Sequence, residues 1–398
     1  MRGKTSLSKA FEINNDLSVY GTFAEIGAGQ ETVNFFYKAG LASQTVAKSM
    51  SAYDMTVSDE IYGKQNRYVC KNRLINMLNH EYRLLEKRLK RKQGDKTCFF
   101  AFAVTAATSN KRKNKVDAND QHAWMGLRFQ ASPSGPLNDI LFHVSCLDPS
   151  RLQQYEALGT LGVNLIYASF YRKKNPKEFI SALIENLAVS RIEIHGMTCS
   201  GPAFNKFSDL ALSLEVLSQN ISPLAFFPNP KHGDFLSDLV FGKSIVILYD
   251  NQFLSKNFKK YKRNLLKALN LTDKKTDFIH FLFRRHFKSS QFKNYHFPLL
   301  IGAEQSLEEL KKLLSGYTFK PCYFVIDESY FKSKLFNSKI YTSGYFLKIL
   351  GELFDKKTKL VVLSQDKKFS VKNYKLKENQ ILKNYLIDRK QIVELSLN

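Results

Sequence analysis

The stretch Tyr20-Gly-Thr-Phe-Ala-Glu-Ile-Gly-Ala-Gly-Gln-Glu-Thr32 holds the residues best placed to do chemistry. A short apolar run ends in two closely spaced glycines and passes into an amphipathic, helix-like segment. A strand that turns tightly into a helix leaves backbone N–H groups pointing at the turn, which suits an anion such as a phosphate. Gly27 and Gly29 supply the turn, and Glu25 and Thr32 flank it as polar candidates for ligand contact. A purely structural turn is the competing reading of the same four residues.

Three further constellations carry candidate chemistry. His122, Trp124 and Arg128 occupy alternate positions of a strand-like run, so their side chains share one face. Imidazole, indole and guanidinium together can stack on a base and grip a phosphate, with His122 as acid–base group; a buried Trp with two satisfied polar neighbours fits equally well. Asp54, Ser58, Asp59 and Glu60 cluster between Tyr53 and Tyr62, where Asp54 and Asp59 can position a substrate or a hard cation, or cap the helix that follows. Lys259, Lys260, Lys262 and Arg263, with Arg284 and Arg285, interleave cations with Phe258, Tyr261 and Phe287, a mixture able to track a nucleic-acid backbone. Cys199 and Ser200 lack a GxSxG setting, which argues against a nucleophile elbow there.

Composition narrows the function classes. The 398 residues carry 60 Lys and Arg against 36 Asp and Glu, a formal charge of +24, which favours contact with polyanions unless Lys is simply the lineage's surface residue. The five cysteines form no CxxC pair and the eight histidines no HxH or HExxH spacing. That speaks against a disulfide framework and a metal site and for a reducing cytoplasm. The cofactor, if any, is not readable. No apolar run reaches the roughly 18 residues of a transmembrane helix, and the N-terminus lacks a secretory h-region. A cytoplasmic protein without membrane insertion is expected.

The elements that must position these residues follow from periodicity. Residues 17–62 read as strand, Gly-turn and helix, then a polar turn through Ser49–Asp59. Residues 66–92 read as one amphipathic helix, with Leu74, Met77, Leu78, Tyr82, Leu85 and Leu89 on its apolar face and Gly94 at its end. Thr97–Ala107, His122–Gln130 and Asp139–Leu147 read as strands of an antiparallel meander. Helices near Pro149–Tyr171 and Pro176–Leu187, a strand at Arg191–Thr198 and a helix near Asp209–Gln219 complete the first part.

A composition shift at Phe227–Gly233 marks a boundary, giving an N-terminal mixed α+β domain (1–227) with the Gly-turn and a basic C-terminal domain (228–398). In the second part strands at Ser244–Tyr249, Phe297–Ile301, Cys322–Asp327 and Lys359–Ser364 alternate with helices at Lys256–Leu269, Leu307–Leu314, Tyr345–Phe354 and Glu378–Leu386. Strict alternation predicts a three-layer, Rossmann-like α/β domain with a mostly parallel sheet. From Lys231 to Lys293 this part holds 14 Lys and Arg against 5 Asp and Glu, so much of the excess charge starts there.

The Gly27-Ala-Gly29 loop resembles the first motif of S-adenosylmethionine-dependent methyltransferases and an incomplete dinucleotide fingerprint. Glu31 stands at the third glycine position, where its carboxylate repels a pyrophosphate. The run from Tyr20 to Glu31, with Ser51–Gly63, Tyr68, His122–Gln130, Glu156–Ile166 and Phe204, resembles a widespread bacterial family of unsettled function. Its members often carry the labels nicotinate-nucleotide adenylyltransferase or TonB-dependent receptor. The resemblance continues in outline at Leu347–Phe354 and implies a shared core. The chain has no paired-histidine loop of the adenylyltransferase kind, and neither the signal peptide nor the many ten-residue amphipathic strands of an outer-membrane receptor. The expected function is binding of a nucleotide or phosphorylated metabolite between the Gly27–Gly29 turn and the His122/Arg128 face. The alternative is a non-catalytic RNA- or DNA-binding protein that uses the basic second part.

Overall fold

Val19–Ile26 (β1) is the strand that runs into the glycine turn, in a computed structural model that describes residues 3–65, 67–108, 121–227, 244–249, 262–283, 299–302, 322–328, 359–364, 370 and 392–396. Packing divides the chain into two units, Met1–Ala225 and Phe226–Asn398. The protein is an α/β protein: the first unit is mixed, and the second is built on a Rossmann-like parallel sheet.

In the first unit, Ser6–Asn14 (α1) starts at Thr5, whose hydroxyl accepts the Ser8 amide at 3.2 Å. Gln30–Ala39 (α2) follows β1, then Val46–Ser51 (β2), Met55–Tyr62 (α3) and Lys71–Gln93 (α4). The segment expected as a polar turn is therefore the end of a strand plus a two-turn helix. Asp54 starts that helix by accepting the Val57 amide at 3.0 Å, and its few apolar positions leave no periodic signal. The single helix expected over residues 66–92 begins instead at Lys71, capped by Cys70. Gly94 closes α4 with right-handed backbone.

Cys98–Ala107 (β3), His122–Gln130 (β4), Leu137–Cys146 (β5) and Ile192–Ser200 (β6) form the expected antiparallel meander. β1 joins it in parallel to β3 and pairs in parallel with β2, giving the order β2-β1-β3-β4-β5-β6. Arg151–Tyr171 (α5), Pro176–Leu183 (α6) and Asp209–Ser218 (α7) complete the unit, each started by a side-chain cap from Ser150, Asn175 or Ser208.

The pleat sorts the side chains. Phe100, Phe102 and Val104 of β3 and Ala123, Met125, Leu127 and Phe129 of β4 join Phe23, Val33, Phe36 and the apolar residues of α5 in one core. The alternate residues face α4: a Cβ on Gly126 would lie 3.1 Å from Leu78. No helix among the described residues is long and apolar enough to cross a membrane.

The second sheet has the order β13-β12-β11-β8-β9-β10-β7, with Leu224–Phe227 as β7, Ser244–Tyr249 as β8, Thr276–Phe283 as β9, Leu299–Gly302 as β10, Cys322–Asp327 as β11, Lys359–Ser364 as β12 and Ile392–Ser396 as β13. The pairs from β13 through β12, β11, β8 and β9 to β10 are parallel. Strands β7, β9 and β13 were not expected from the sequence. Of the expected helices, residues 262–268 are described as helical, and Leu265 and Leu269 pack on Val246, Phe278 and Val325. The helices expected at Leu307–Leu314, Tyr345–Phe354 and Glu378–Leu386 lie outside the described residues.

Candidate functional site

The turn after β1 sits at the carboxyl end of the parallel strands β1, β2 and β3, where open α/β sheets place their ligands. Gly27 has φ +85° and Gly29 φ +128°, conformations that side chains rarely adopt. Space demands glycine as well: a Cβ on Gly27 would strike the Ala106 carbonyl oxygen, and one on Gly29 would strike Val104. The glycines thus lay the turn directly on β3. Gly29 is also the N-cap of α2 and offers no side chain to the first-turn amides; the Thr32 amide donates to Gly29 O at 2.9 Å, whereas those of Gln30 and Glu31 have no intrahelical acceptor.

Around the turn, three side chains fix the Gly27 carbonyl and the mouth. The Tyr155 hydroxyl donates to Gly27 O at 2.8 Å, and the Tyr53 hydroxyl lies 3.1 Å from the same atom. Gln30 Nε2 donates to the Tyr53 oxygen at 2.6 Å, while Gln30 Oε1 is buried without a partner. The Tyr53 ring is 60% exposed. Beneath Gly29, with Cβ 3.4 Å from where a Gly29 Cβ would stand, lies Glu25. The residue is 2% exposed, and its carboxylate accepts the Ser51 hydroxyl from the neighbouring parallel strand. Burial raises the Glu25 carboxyl to about 7, against the lowering pull of the Ser51 hydrogen bond.

Thr32 is buried in the α2–α5 contact: its hydroxyl stands where a Cβ on Gly162 would go, so it faces α5 and not the mouth. Asp54 caps α3. Asp59 takes Arg73 at 2.6 Å and the Tyr68 hydroxyl at 3.1 Å, and the fully buried Arg73 also donates to Ser58 O at 3.0 Å. These two acids tie down α3 and α4.

The strand β4 side chains share a face as expected, yet they do not meet the turn as a group. Trp124 pairs with Thr105, which pairs with Ile26, so it lies in the row next to the turn; it is wholly buried, 5.2 Å from the His143 ring. A Trp with no exposed area cannot stack on a base. Arg128 pairs with Ala101, four residues down β3, which is about 13 Å from that row. Its Nε and Nη2 form a bidentate pair with Asp139, both at 2.7 Å, and Nη1 binds Asn79, so its charge is spent inside the fold.

His122 belongs to a ladder of imidazoles. Its Nδ1 lies 3.0 Å from His143 Nε2, and the His143 ring is 5.7 Å from that of His195. A register shift in β5–β6 beside His143 accompanies the placing of His195 Nε2 at 2.8 Å from Ser145 Oγ. Burial, aided by the Arg67 charge, lowers His122 to about 4; burial alone lowers His195 to about 4, and His143 is held neutral for the same reason. Among the described residues no three His, Cys, Asp or Glu side chains converge as a metal site.

In the basic segment, Lys262 meets Asp273 at 2.5 Å and lies 5.4 Å over the Phe278 ring, and Arg263 is exposed. Lys259, Lys260, Arg284 and Arg285 lie outside the described residues. Sequence reasoning missed Ser51, Gln30, Tyr155, His143 and His195. Only Tyr53 carried a signal, as an aromatic beside the acidic cluster.

No family model matches the chain, and no curated protein matches it. Among solved structures, the competence/damage inducible protein CihA from Agrobacterium tumefaciens is similar over 42% of this chain and 97% of its own, at 15% identity and a TM-score of 0.30. A competence-damaged protein (CinA) superfamily protein from Enterobacter cloacae is similar over 42% and 91%, at 11% identity and a TM-score of 0.29. A competence or damage-inducible protein from Enterobacter asburiae is similar over 42% and 99%, at 10% identity and a TM-score of 0.28. None of these supports the adenylyltransferase or receptor labels of the family that the motifs resemble.

Proposed function

We propose that the first unit binds a nucleotide or another phosphorylated metabolite at the glycine turn. The observation that carries this reading is the start of α2: a ten-residue helix whose N-cap is a glycine, opening at the carboxyl end of β1, which is paired in parallel with β2 on one side and β3 on the other. The Gln30 and Glu31 amides of the first turn hold the phosphate, and the exposed Tyr53 ring beside them offers a face for a planar group. Glu25, Gly27, Gly29, Gln30 and Ser51 form the site. Thr32, Trp124 and Arg128 are its framework, and His122, Asp54 and Asp59 hold the surrounding elements in place. Of the two described cations of the nucleic-acid alternative, Lys262 is already paired with Asp273 and Arg263 alone is left exposed.

A nucleoside series tests the reading. Isotope-labelled protein is titrated with adenosine, guanosine, their mono- and diphosphates, and inorganic phosphate, following the Gly29 and Gln30 amide resonances. Phosphorylated members should move both resonances and raise the unfolding free energy, by about 2.7 kcal/mol at a hundredfold excess over Kd. Equal effects from the unphosphorylated nucleosides, or shifts confined to other parts of the chain, would remove the turn from the site.

A further inference from the structure

Glu25 stands apart from the other buried carboxylates of residues 1–225. Glu81, which is 1% exposed, has Lys48 at 2.5 Å and the Tyr62 hydroxyl at 3.0 Å. Asp148 has Arg191 at 2.8 Å. Glu25 has only the Ser51 hydroxyl, and no Lys, Arg or His among the described residues forms an ion pair with it. The groups that face it are Ser51 of β2, the phenols of Tyr53 and of Tyr62 on α3, Val104 of β3 and the Gly29 backbone of α2. Tyr155 of α5 reaches the adjacent Gly27 carbonyl. None of them is a cation. A buried carboxylate without a counter-ion is costly to ionise, and such groups concentrate at functional sites.

Its position matters as much as its isolation. Glu25 lies directly under Gly29, yet no amide of the turn donates to it, so the carboxylate does not itself occupy the helix terminus. Ser51, whose hydroxyl donates to this carboxyl, is itself exposed, while Glu25 is buried. An anion held by the first-turn amides would therefore sit above this carboxyl in a partly desolvated setting, where two like charges repel strongly.

Resting on the binding reading above, we infer that Glu25 takes up a proton together with the anion. The neutral carboxyl forms the floor of the occupied site, and the ionised carboxylate excludes the anion. Because burial keeps this carboxyl near 7, the coupling falls in the neutral range and makes anion binding sensitive to small changes in pH.

Inorganic sulfate is the probe, since its charge is constant across the range of interest, and the full chain is used. The readout is the shift of the Gly29 and Gln30 amides at pH 6, 7 and 8. Wild-type affinity should fall about tenfold from pH 6 to pH 8, as the competent fraction falls. Glu25→Gln keeps the shape and the hydrogen bond to Ser51, and should bind at pH 8 as tightly as the wild type does at pH 6, with no slope. Ser51→Ala, which removes the hydrogen bond favouring the ionised form, should keep the slope and move its midpoint to higher pH. Sulfate binding that is flat with pH in the wild type, or a slope that survives Glu25→Gln, overturns the inference while leaving the anion site standing. Absence of any shift at pH 6 in both proteins overturns the inference together with the reading on which it rests.

Discussion

Glu25, His122 and His195 are ionisable groups that the fold favours in their neutral forms, and they tie stability to pH in opposite senses. The Glu25 carboxyl rises from 4.5 to about 7 on folding. Its favourable share is therefore complete below the unfolded value and is lost as pH rises through 7. Above that point the ionised carboxylate costs up to about 3 kcal/mol, so Glu25→Gln should raise the urea midpoint at pH 8 and leave it nearly unchanged at pH 4. The histidines fall from 6.5 to about 4, so the stability they allow is present above 6.5 and is lost as pH falls toward 4. That loss reaches up to about 3 kcal/mol for each. Urea unfolding between pH 7.5 and 4.5 should show it, and His195→Gln, with no charge to gain, should fall less steeply. Gly29→Val puts a branched side chain into Val104 at φ +128°, so thermal unfolding should show a lost fold and not a selective loss of binding. The glycines and Glu25 were legible in the sequence because a positive φ and a strand end leave a local mark. Ser51 and Tyr155 were not, because only parallel pairing and the α5 crossing bring them to the turn.

Among the elements, α2 is held by a close approach to α5. A Cβ on Gly159 would strike the Glu31 Cβ and crowd its backbone carbon at 3.0 Å, and one on Gly162 would meet the Thr32 hydroxyl and Phe102 Cζ, the latter at 2.9 Å. Gly162→Ala should therefore destabilise by about 1–3 kcal/mol through overpacking, measured by urea unfolding. It should also move the Gly29 and Gln30 amide resonances, because α2 has to shift. The α5 helix was legible by length, although an unbroken buried run from Ala157 to Ser169 erases the amphipathic period that usually marks a helix. β2 and α3 were not legible. Val46-Ala-Lys-Ser-Met-Ser51 is an edge strand with little apolar content, and only pairing to β1 makes it a strand. The imidazole ladder was legible on β4 alone, since His143 and His195 enter through cross-strand register.

For the whole molecule, charge and core are distributed unequally. Residues 226–398 carry 32 Lys and Arg against 16 Asp and Glu, whereas residues 1–225 carry 28 against 20. The charge was legible at once, but its use was not, because a composition does not say which cations are already paired. If Lys262 is committed to Asp273, Lys262→Gln should leave the salt dependence of single-stranded RNA binding unchanged, where loss of a phosphate contact would lower the log–log slope by roughly 0.7. Fluorescence anisotropy across salt concentrations decides between them. The pairing of the six-stranded sheet has a further consequence, in time. Gln130 meets Leu137 across a tight hairpin, whereas Val19 meets Cys98 only after the intervening chain has folded back. Contacts that close long loops form late, so the meander should nucleate folding, and β1 with its glycine turn should dock after the rate-limiting barrier. Gly27→Ala should accordingly speed unfolding in stopped-flow measurements and leave the refolding rate almost untouched. The glycine turn would then be the last part of the sheet to assemble and the first to open.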